Sequence, residues 1–187
     1  MPFQIHTLET APEASRPALG KLVQNYGFLP NLAGVFAESP GALNGLLGFM
    51  GAFESQEMTL APLERQIVLL TVAVWNKCAY CAAAHGMMAN MCGLERGEVD
   101  ALQQGRPLRE GRLEALRRFT EAVLEKKGWT KDVDLAAFLG AGFSKAQIFE
   151  VLFGIALKTF TNYANHISKP PVNTQFAGFL PAWDKAA

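Results

Sequence analysis

The sequence predicts an all-α protein built as a helical bundle. Apolar residues recur three and four positions apart in several segments, which is the spacing that places side chains on one face of a helix. No segment of the sequence has the sustained two-residue alternation of a half-buried strand. Glycine, proline and serine separate the apolar segments at positions typical of helix ends. We therefore expect helices packed on helices.

The helices can be predicted in order along the chain. Residues 1–40 contain five of the ten prolines, which indicates an irregular arm with one helix, Ala14 to Tyr26. The further predicted helices are a short one between Pro30 and Pro40, then Ala42 to Phe53, a helix capped by Thr59 that runs to Trp75, Cys78 to Met91, Leu113 to Leu124, Val133 to Leu139, and a helix capped by Ser144 that runs toward His166. A polar link is expected from Gln103 to Glu110, and a loose, partly aromatic arm after Pro171.

Composition excludes several classes of partner. Lysine plus arginine equal aspartate plus glutamate at 17 each, and no basic block stands out, so nucleic acid is not expected to bind. No apolar run approaches the roughly 20 residues that a membrane helix needs, and the N-terminus does not resemble a secretory signal. The three cysteines do not form an even disulfide framework. We expect a cytoplasmic protein without a membrane partner, and its 50% apolar content indicates a homo-oligomer.

One internal similarity predicts a degenerate duplication of a helix-pair unit within a single domain, residues 1–187. A shift of 81 residues superimposes identical residue types: Gln66 on Gln147, Lys77 on Lys158, Ala83 on Ala164, and His85 on His166. We call residues 56–105 the first unit and residues 110–170 the second unit; residues 1–55 and 171–187 flank them. Under this shift Cys81 falls on Asn162, so only the first unit carries the thiols.

The first unit contains the strongest candidate for chemistry. Cys78 and Cys81 form a C-x-x-C pair, and His85 follows one helical turn later on the same face. Helix N-termini stabilise thiolates, the reactive form of cysteine, and a nearby histidine can manage the proton. Geometry favours Cys81 as the attacking thiol because it is nearer to His85, although the opposite assignment stays open. Glu64 lies close to four helical turns before Cys78 and is a candidate to orient the imidazole.

Two other interpretations of this segment remain open. Cys78, Cys81 and His85 could bind zinc, but a closed structural site needs a fourth ligand that the spacing does not supply. The cysteines could also pack in the core without chemistry, as small apolar residues do. A structural and not a chemical role is also favoured for two other residues. Cys92 is expected to be a buried thiol without a role, and His166 a structural residue. The helical spacing of Met87, Met88 and Met91 is typical of core, and these side chains could also wall an apolar pocket.

The segments Thr59 to Gln66 and Cys78-Ala79-Tyr80-Cys81-Ala82-Ala83-Ala84-His85 resemble the alkylhydroperoxidase D-like family of the carboxymuconolactone decarboxylase superfamily. The stretches Met88 to Gly93, Ala141 to Ser144, Gln147 to Val151 and Phe160 to His166 are similar to its peroxidase-related branch. The resemblance covers most of residues 40–175. Two positions depart from the family's relay: Gln66 stands where a glutamate is expected, and Tyr80 where a second histidine is expected.

The resemblance implies an all-α fold, a trimer or hexamer, and thiol-based reduction of organic hydroperoxides. It implies that Cys81 is the peroxidatic thiol, Cys78 the resolving thiol and His85 the relay histidine, with Glu64 as a substitute for the displaced glutamate. It implies no bound cofactor beyond the redox-active disulfide, and an electron donor that is a thioredoxin-like or lipoylated protein. The alternatives are a lactone decarboxylase or isomerase of the same superfamily and a non-catalytic helical oligomer that senses oxidants.

Overall fold

The protein is all-helical in a computed structural model that describes residues 3–184, as the sequence predicts. The nine α-helices of these residues are α1 (Arg16–Tyr26), α2 (Asn31–Phe36), α3 (Pro40–Phe53), α4 (Pro62–Trp75), α5 (Ala79–Met91), α6 (Arg96–Gln103), α7 (Gly111–Glu125), α8 (Asp132–Gly140) and α9 (Lys145–Ser168). A 3-10 turn precedes α1 at Glu13–Ser15, and another, Thr174–Phe179, follows α9.

All the predicted helices are present, but α6 was not predicted. Four of its eight residues are polar or charged, and its buried residues are Val99, Ala101, Leu102 and Gln103. The segment makes only about two helical turns, so few apolar positions repeat the period, and no helix is predicted for it.

The prediction that Thr59 caps α4 is wrong. The N-cap residue is Ala61, and its backbone N–H donates to the Glu64 carboxylate at 2.9 Å. Thr59 instead donates its N–H and its hydroxyl to Glu150 Oε1 on α9, at 2.8 and 2.9 Å. Leu60 N–H donates to the other oxygen of the same carboxylate at 2.7 Å. The segment before α4 is therefore fastened to α9.

A tight turn separates α4 from α5 and sets the position of the C-x-x-C pair. Lys77 has a left-handed backbone, with φ of 54°. The Lys77 N–H donates to Val74 O at 3.0 Å and the Cys78 N–H to Ala73 O at 2.9 Å, the two bonds of a Schellman motif. Cys78 is then the N-cap residue of α5, so the predicted helix begins one residue later, at Ala79.

The second unit has no such break. Its helix α9 runs for 24 residues through the positions that the 81-residue shift aligns with the α4–α5 turn. The predicted helix pair is thus a single helix in the second unit, and the duplication itself stays a prediction.

The central helix α4 packs against α5, α6, α7 and α9. Ile67, Val68 and Leu70 of α4 are fully buried. Helix α9 approaches α4 closely at Gly154, where an added Cβ would lie 2.8 Å from Val68 Cγ1 and 2.9 Å from Phe53 Cζ. A side chain at this position would hold the two helices apart.

The C-terminal arm is not loose within its described residues. Phe176 is 3% exposed and packs edge-on against Tyr80 of α5. The Tyr80 hydroxyl donates to Asn173 Oδ1 at 2.6 Å, and Gln103 Nε2 donates to Phe179 O at 2.9 Å. The arm therefore covers one side of α5 and holds it against α6.

No single helix within residues 3–184 has the length and apolar character to cross a membrane. Helices α8 and α9 satisfy that criterion only when taken together, and they are bent by 110° at their junction.

Candidate functional site

The two cysteines lie together at the start of α5. Cys78 is the N-cap residue and Cys81 occupies the first turn of the helix. Each is 2% exposed, both are free thiols, and the pair is 3.5 Å apart. Disulfide closure needs only a small movement, because the pair already lies at van der Waals distance.

Helix α9 supplies the surroundings of this pair. The amide Nδ2 of Asn165 donates to Cys81 Sγ at 3.1 Å and lies 3.7 Å from Cys78 Sγ. Asn162 is fully buried beside Cys81, and its Nδ2 has no hydrogen bond of ordinary geometry among residues 3–184. Its Oδ1 accepts from Asn76 of the α4–α5 turn at 3.0 Å. Asn165 thus presents its N–H groups to the sulfurs, and both amides favour the thiolate form of Cys81 over the thiol.

Lys158 is the third buried polar residue of this face, and we call Lys158, Asn162 and Asn165 the polar stripe of α9. Its residues are four and three positions apart, so they share one side of the helix. Lys158 is 6% exposed, and it makes no ion pair with any carboxylate in the described part of the chain. Its positive charge lowers the pKa of Cys81, Cys78 and His85 alike.

The surroundings separate the two thiols in acidity. The hydrogen bond from Cys78, then Lys158, Asn162 and Asn165, lower the pKa of Cys81 to about 6, against the opposing effect of burial. The same hydrogen bond and burial raise the pKa of Cys78. These effects favour a thiolate on Cys81 and a thiol on Cys78. This supports Cys81 as the attacking residue.

His85 lies one turn beyond Cys81, as predicted, and is 9% exposed. Its Nδ1 lies 2.9 Å from Gln66 Oε1 of α4. An amide oxygen can only accept, so Nδ1 carries the hydrogen and Nε2 keeps its lone pair. Burial, with a contribution from Lys158, lowers the pKa of His85 well below its usual range. His85 is thus a neutral imidazole with a proton-accepting Nε2.

Glu64 does not perform the predicted task. Its carboxylate accepts from Arg112 Nε at 2.7 Å and from the Ala61 N–H, so it joins α4 to α7 and does not contact His85. The residue that orients the ring is Gln66, two positions later on α4. Glu64 and Gln66 differ by about 200° around a helix of 3.6 residues per turn, so only one of them can face α5.

A cavity of about 380 Å³ opens onto Cys81, His85 and Lys158. These three side chains are buried, and we call this part of the cavity its inner end. The exposed side chains of Tyr26, Glu54 and Met91 lie at the other end and mark the mouth. Between the ends the walls are mainly apolar and include Leu22, Phe28, Leu46, Met50, Met87 and Met88. The cavity therefore admits an apolar molecule with a reactive group at its inner end.

The remaining candidate residues lie outside this arrangement. Cys92 is exposed, contrary to its prediction as a buried thiol, and His166 is exposed on α9 beside Tyr163. No group of three His, Cys, Asp or Glu side chains within residues 3–184 is placed to hold a metal ion. A second groove, of about 420 Å³, lies between α7 and α8 and has neither cysteine nor histidine in its described lining.

Sequence reasoning missed four residues of the candidate site: Gln66, Lys158, Asn162 and Asn165. Gln66 was treated only as a departure from the family pattern. The α9 residues had a detectable signal, since three polar side chains recur at helical spacing among buried apolar ones. Such a pattern indicates that the polar side chains are buried and have polar partners. It does not reveal which side chains of other helices those partners are.

Comparison with known protein families finds a match over part of the chain. Residues 40–122 match the carboxymuconolactone decarboxylase family. The matched segment includes both cysteines and His85 and excludes α9. No curated protein matches the chain significantly.

Solved structures share the fold at low sequence identity. An uncharacterized peroxidase-related protein with an alkylhydroperoxidase AhpD core, from Ralstonia eutropha JMP134, has a TM-score of 0.84 and 18% identity over 96% of both chains. A peroxidase-related protein from Silicibacter sp. TM1040 has a TM-score of 0.79 and 20% identity, over 89% of this chain and 88% of that one. A cysteine-to-alanine variant of the debrominase Bmp8, in complex with 2,3,4-tribromopyrrole, has a TM-score of 0.76 and 17% identity, over 98% of this chain and 96% of that one.

Proposed function

Because residues 40–122 match the carboxymuconolactone decarboxylase family and the chain shares its fold with an AhpD-core protein, we propose that it belongs to that superfamily and is a thiol-dependent oxidoreductase that reduces organic hydroperoxides. The observation that carries the proposal is the environment of Cys81. Its sulfur lies at the inner end of an apolar cavity, beside two amides and an unpaired ammonium. A core cysteine without a role does not need those polar neighbours.

The first step is attack of the Cys81 thiolate on the terminal oxygen of the hydroperoxide. An S–O bond forms, the O–O bond breaks, and the products are a Cys81 sulfenic acid and an alkoxide. His85 Nε2 accepts a hydrogen bond from the hydroperoxide and can pass that proton to the departing alkoxide, while a proton from solvent restores the balance. Gln66 holds the ring in the tautomer that this requires.

The second step closes the disulfide. Cys78 attacks Cys81 Sγ, the S–O bond breaks, and the hydroxyl leaves as water with the proton of the Cys78 thiol. Two electrons have then passed from the thiol pair to the peroxide. An external dithiol must return them by thiol–disulfide exchange, and we propose a lipoylated or thioredoxin-like protein as that donor. A slender lipoyl arm suits the buried pair better than a wide protein surface.

Thiol counting tests this function. A Cys92→Ser protein, which removes the exposed thiol from the count, is reduced and treated with one equivalent of cumene hydroperoxide. We expect two thiols to disappear, one in the added Cys78→Ser variant and none in the added Cys81→Ser variant. Cys81→Ser should also slow peroxide consumption by at least about 10³-fold, because it removes the nucleophile. Consumption at the wild-type rate by Cys81→Ser would contradict the proposal.

A second candidate function is reductive debromination, which the structural similarity to Bmp8 favours. The same thiolate can attack an aryl-bound bromine, so that the carbon takes a proton and Cys81 becomes a sulfenyl bromide. Cys78 then displaces bromide and forms the same disulfide. The methionine-lined wall suits a polarisable aromatic ring. Release of bromide from 2,3,4-tribromopyrrole, absent in Cys81→Ser, distinguishes this substrate from a hydroperoxide.

We also propose that the chain forms a homo-oligomer through α9. Five large apolar side chains lie exposed on one face of this helix: Phe149, Leu152, Phe160, Tyr163 and Ile167. Replacing Phe149 and Ile167 by charged residues should release smaller species, which light scattering on a sizing column would measure.

A further inference from the structure

The unpaired ammonium of Lys158 carries an inference beyond the oxidation of the thiols. Lys158 is 94% buried, since only 6% of it is exposed, and it lines the inner end of the cavity. Buried ammonium groups are costly unless an anion is near. Glu54 is the only carboxylate among the described residues that line the cavity, and it lies at the exposed mouth. The negative charge available to Lys158 at the inner end is therefore that of the Cys81 thiolate.

Disulfide closure removes this charge. In the reduced protein the inner end holds one ammonium and one thiolate, which balance. Once Cys81 is joined to Cys78, both sulfurs are neutral, and His85 is a neutral imidazole. The inner end then carries one net positive charge within apolar walls, a setting in which the attraction for an anion is far stronger than in water.

We propose that Lys158 forms an anion-binding site that the Cys81 thiolate fills in the reduced protein and that an organic anion fills in the disulfide form. The ligand is a carboxylate with an apolar body, because the ammonium can pair with its head while the walls contact its chain. This inference rests on the proposed function only in so far as Cys78 and Cys81 form a disulfide.

The test compares octanoate with 1-octanol, which has the same chain length without the charge. Binding is measured by titration calorimetry at pH 8 to the reduced protein, to the disulfide form, and to Cys81→Ala, which also leaves Lys158 without its thiolate. We expect octanoate to bind the disulfide form and Cys81→Ala at least about tenfold more tightly than the reduced protein. Octanol should show no such preference, and Lys158→Met should abolish it.

Linkage supplies an independent measurement. A ligand that prefers the disulfide form must make the pair harder to reduce, and a tenfold preference corresponds to about 30 mV. Saturating octanoate should lower the midpoint potential of the Cys78–Cys81 pair by about that amount in the wild type. Lys158→Gln should show no shift.

The outcomes separate the two proposals. If no disulfide forms, the proposed function fails, while Cys81→Ala still tests the anion site. If the disulfide forms but octanoate binds all forms equally, or if Lys158→Met retains the preference, the anion site is overturned and the proposed function stands.

Discussion

The start of α5 and the middle of α9 face each other across the site and contribute different chemistry. Helix α5 carries the proposed reacting groups, Cys78, Cys81 and His85. Helix α9 brings Lys158 and two amides to the same place, from positions 84 residues away in the case of Asn165 and Cys81. The nucleophile and the groups that ionise it therefore come from different units. A motif search finds the first set, whereas the second set appears only when the chain is folded.

The largest effect on the ionisation of Cys81 is expected from Asn165→Asp. The substitution keeps the shape of the side chain but adds a carboxylate beside the Cys81 thiolate, and like charges at this distance oppose ionisation. We expect alkylation of Cys81 by iodoacetamide at pH 7 to slow by about 100-fold, since hydrogen bonds to charged groups are worth about 1.5–3 kcal/mol and repulsion is added. Asn165→Leu, which only removes the donor, should slow it by about tenfold.

These rates are measured in a Cys92→Ser background, so that only the buried pair reports. Wild-type reactivity in Asn165→Asp would mean that α9 does not control the thiolate.

Removal of the charge on α9 should have the next largest effect. In the wild type the alkylation rate rises with pH around the Cys81 pKa of about 6 and is constant above it, because the thiolate is the reactive form. Lys158→Met should move this midpoint upward, toward the ordinary value near 8.5, and slow alkylation at pH 7 by about tenfold. Above pH 9 the two proteins should react alike.

Lys158→Arg should restore much of the shift, because it restores the charge. Lys145→Met, on the exposed first turn of α9, is the matched control and should leave the profile unchanged. If Lys158→Met leaves the pH profile of alkylation unchanged, Lys158 does not influence the ionisation of Cys81.

The fold was largely predictable because the helical signal is repeated along the chain. Long helices such as α3 and α9 have many apolar positions that agree with one period, and Ser144 caps α9 as its pattern indicates. Helix α6 and the packed C-terminal arm were not predictable. Helix α6 is amphipathic but makes only about two turns, and the arm depends on contacts such as that of Phe179 with Gln103.

The site was predictable only on the α5 side. Spacing along one helix places His85 one turn from Cys81 without any tertiary information. The choice between Glu64 and Gln66 depends on which face of α4 meets α5, and both residues are buried, so burial does not distinguish them. Helical spacing favoured Glu64 in the sequence, but Arg112 from a distant helix pairs with that carboxylate.

A smaller effect should come from changing the residue that orients His85. Gln66→Glu places a carboxylate on Nδ1 and should raise the pKa of His85, because a neighbouring negative charge favours the imidazolium. The shift is measured by NMR titration of the ring. Peroxide turnover at pH 7 should change by less than about fivefold, since the thiolate on Cys81 does not depend on an imidazolium. Glu64→Gln is the control, and an equal shift there would restore Glu64 to the relay.

The smallest effect on chemistry, with a clear effect on stability, is expected from Gly154→Ala at the crossing of α9 and α4. The new methyl group would lie 2.8 Å from Val68 Cγ1, so the helices must separate slightly, at a cost of about 1–3 kcal/mol in the free energy of unfolding. Gly45→Ala in α3 is the matched control. An added Cβ there meets open space, and helix propensity alone should stabilise the protein by about 0.5–1 kcal/mol.

Urea unfolding measures both free energies, and iodoacetamide alkylation shows whether the polar stripe has moved. If α9 is displaced from α4, the distance between Asn165 and Cys81 increases. The pH midpoint of Cys81 alkylation should then rise, but by less than in Lys158→Met. A Gly154→Ala protein as stable as the wild type would mean that a methyl group fits between α4 and α9 at this position. The position of the polar stripe would then depend on its own hydrogen bonds and not on the close approach of the two helices.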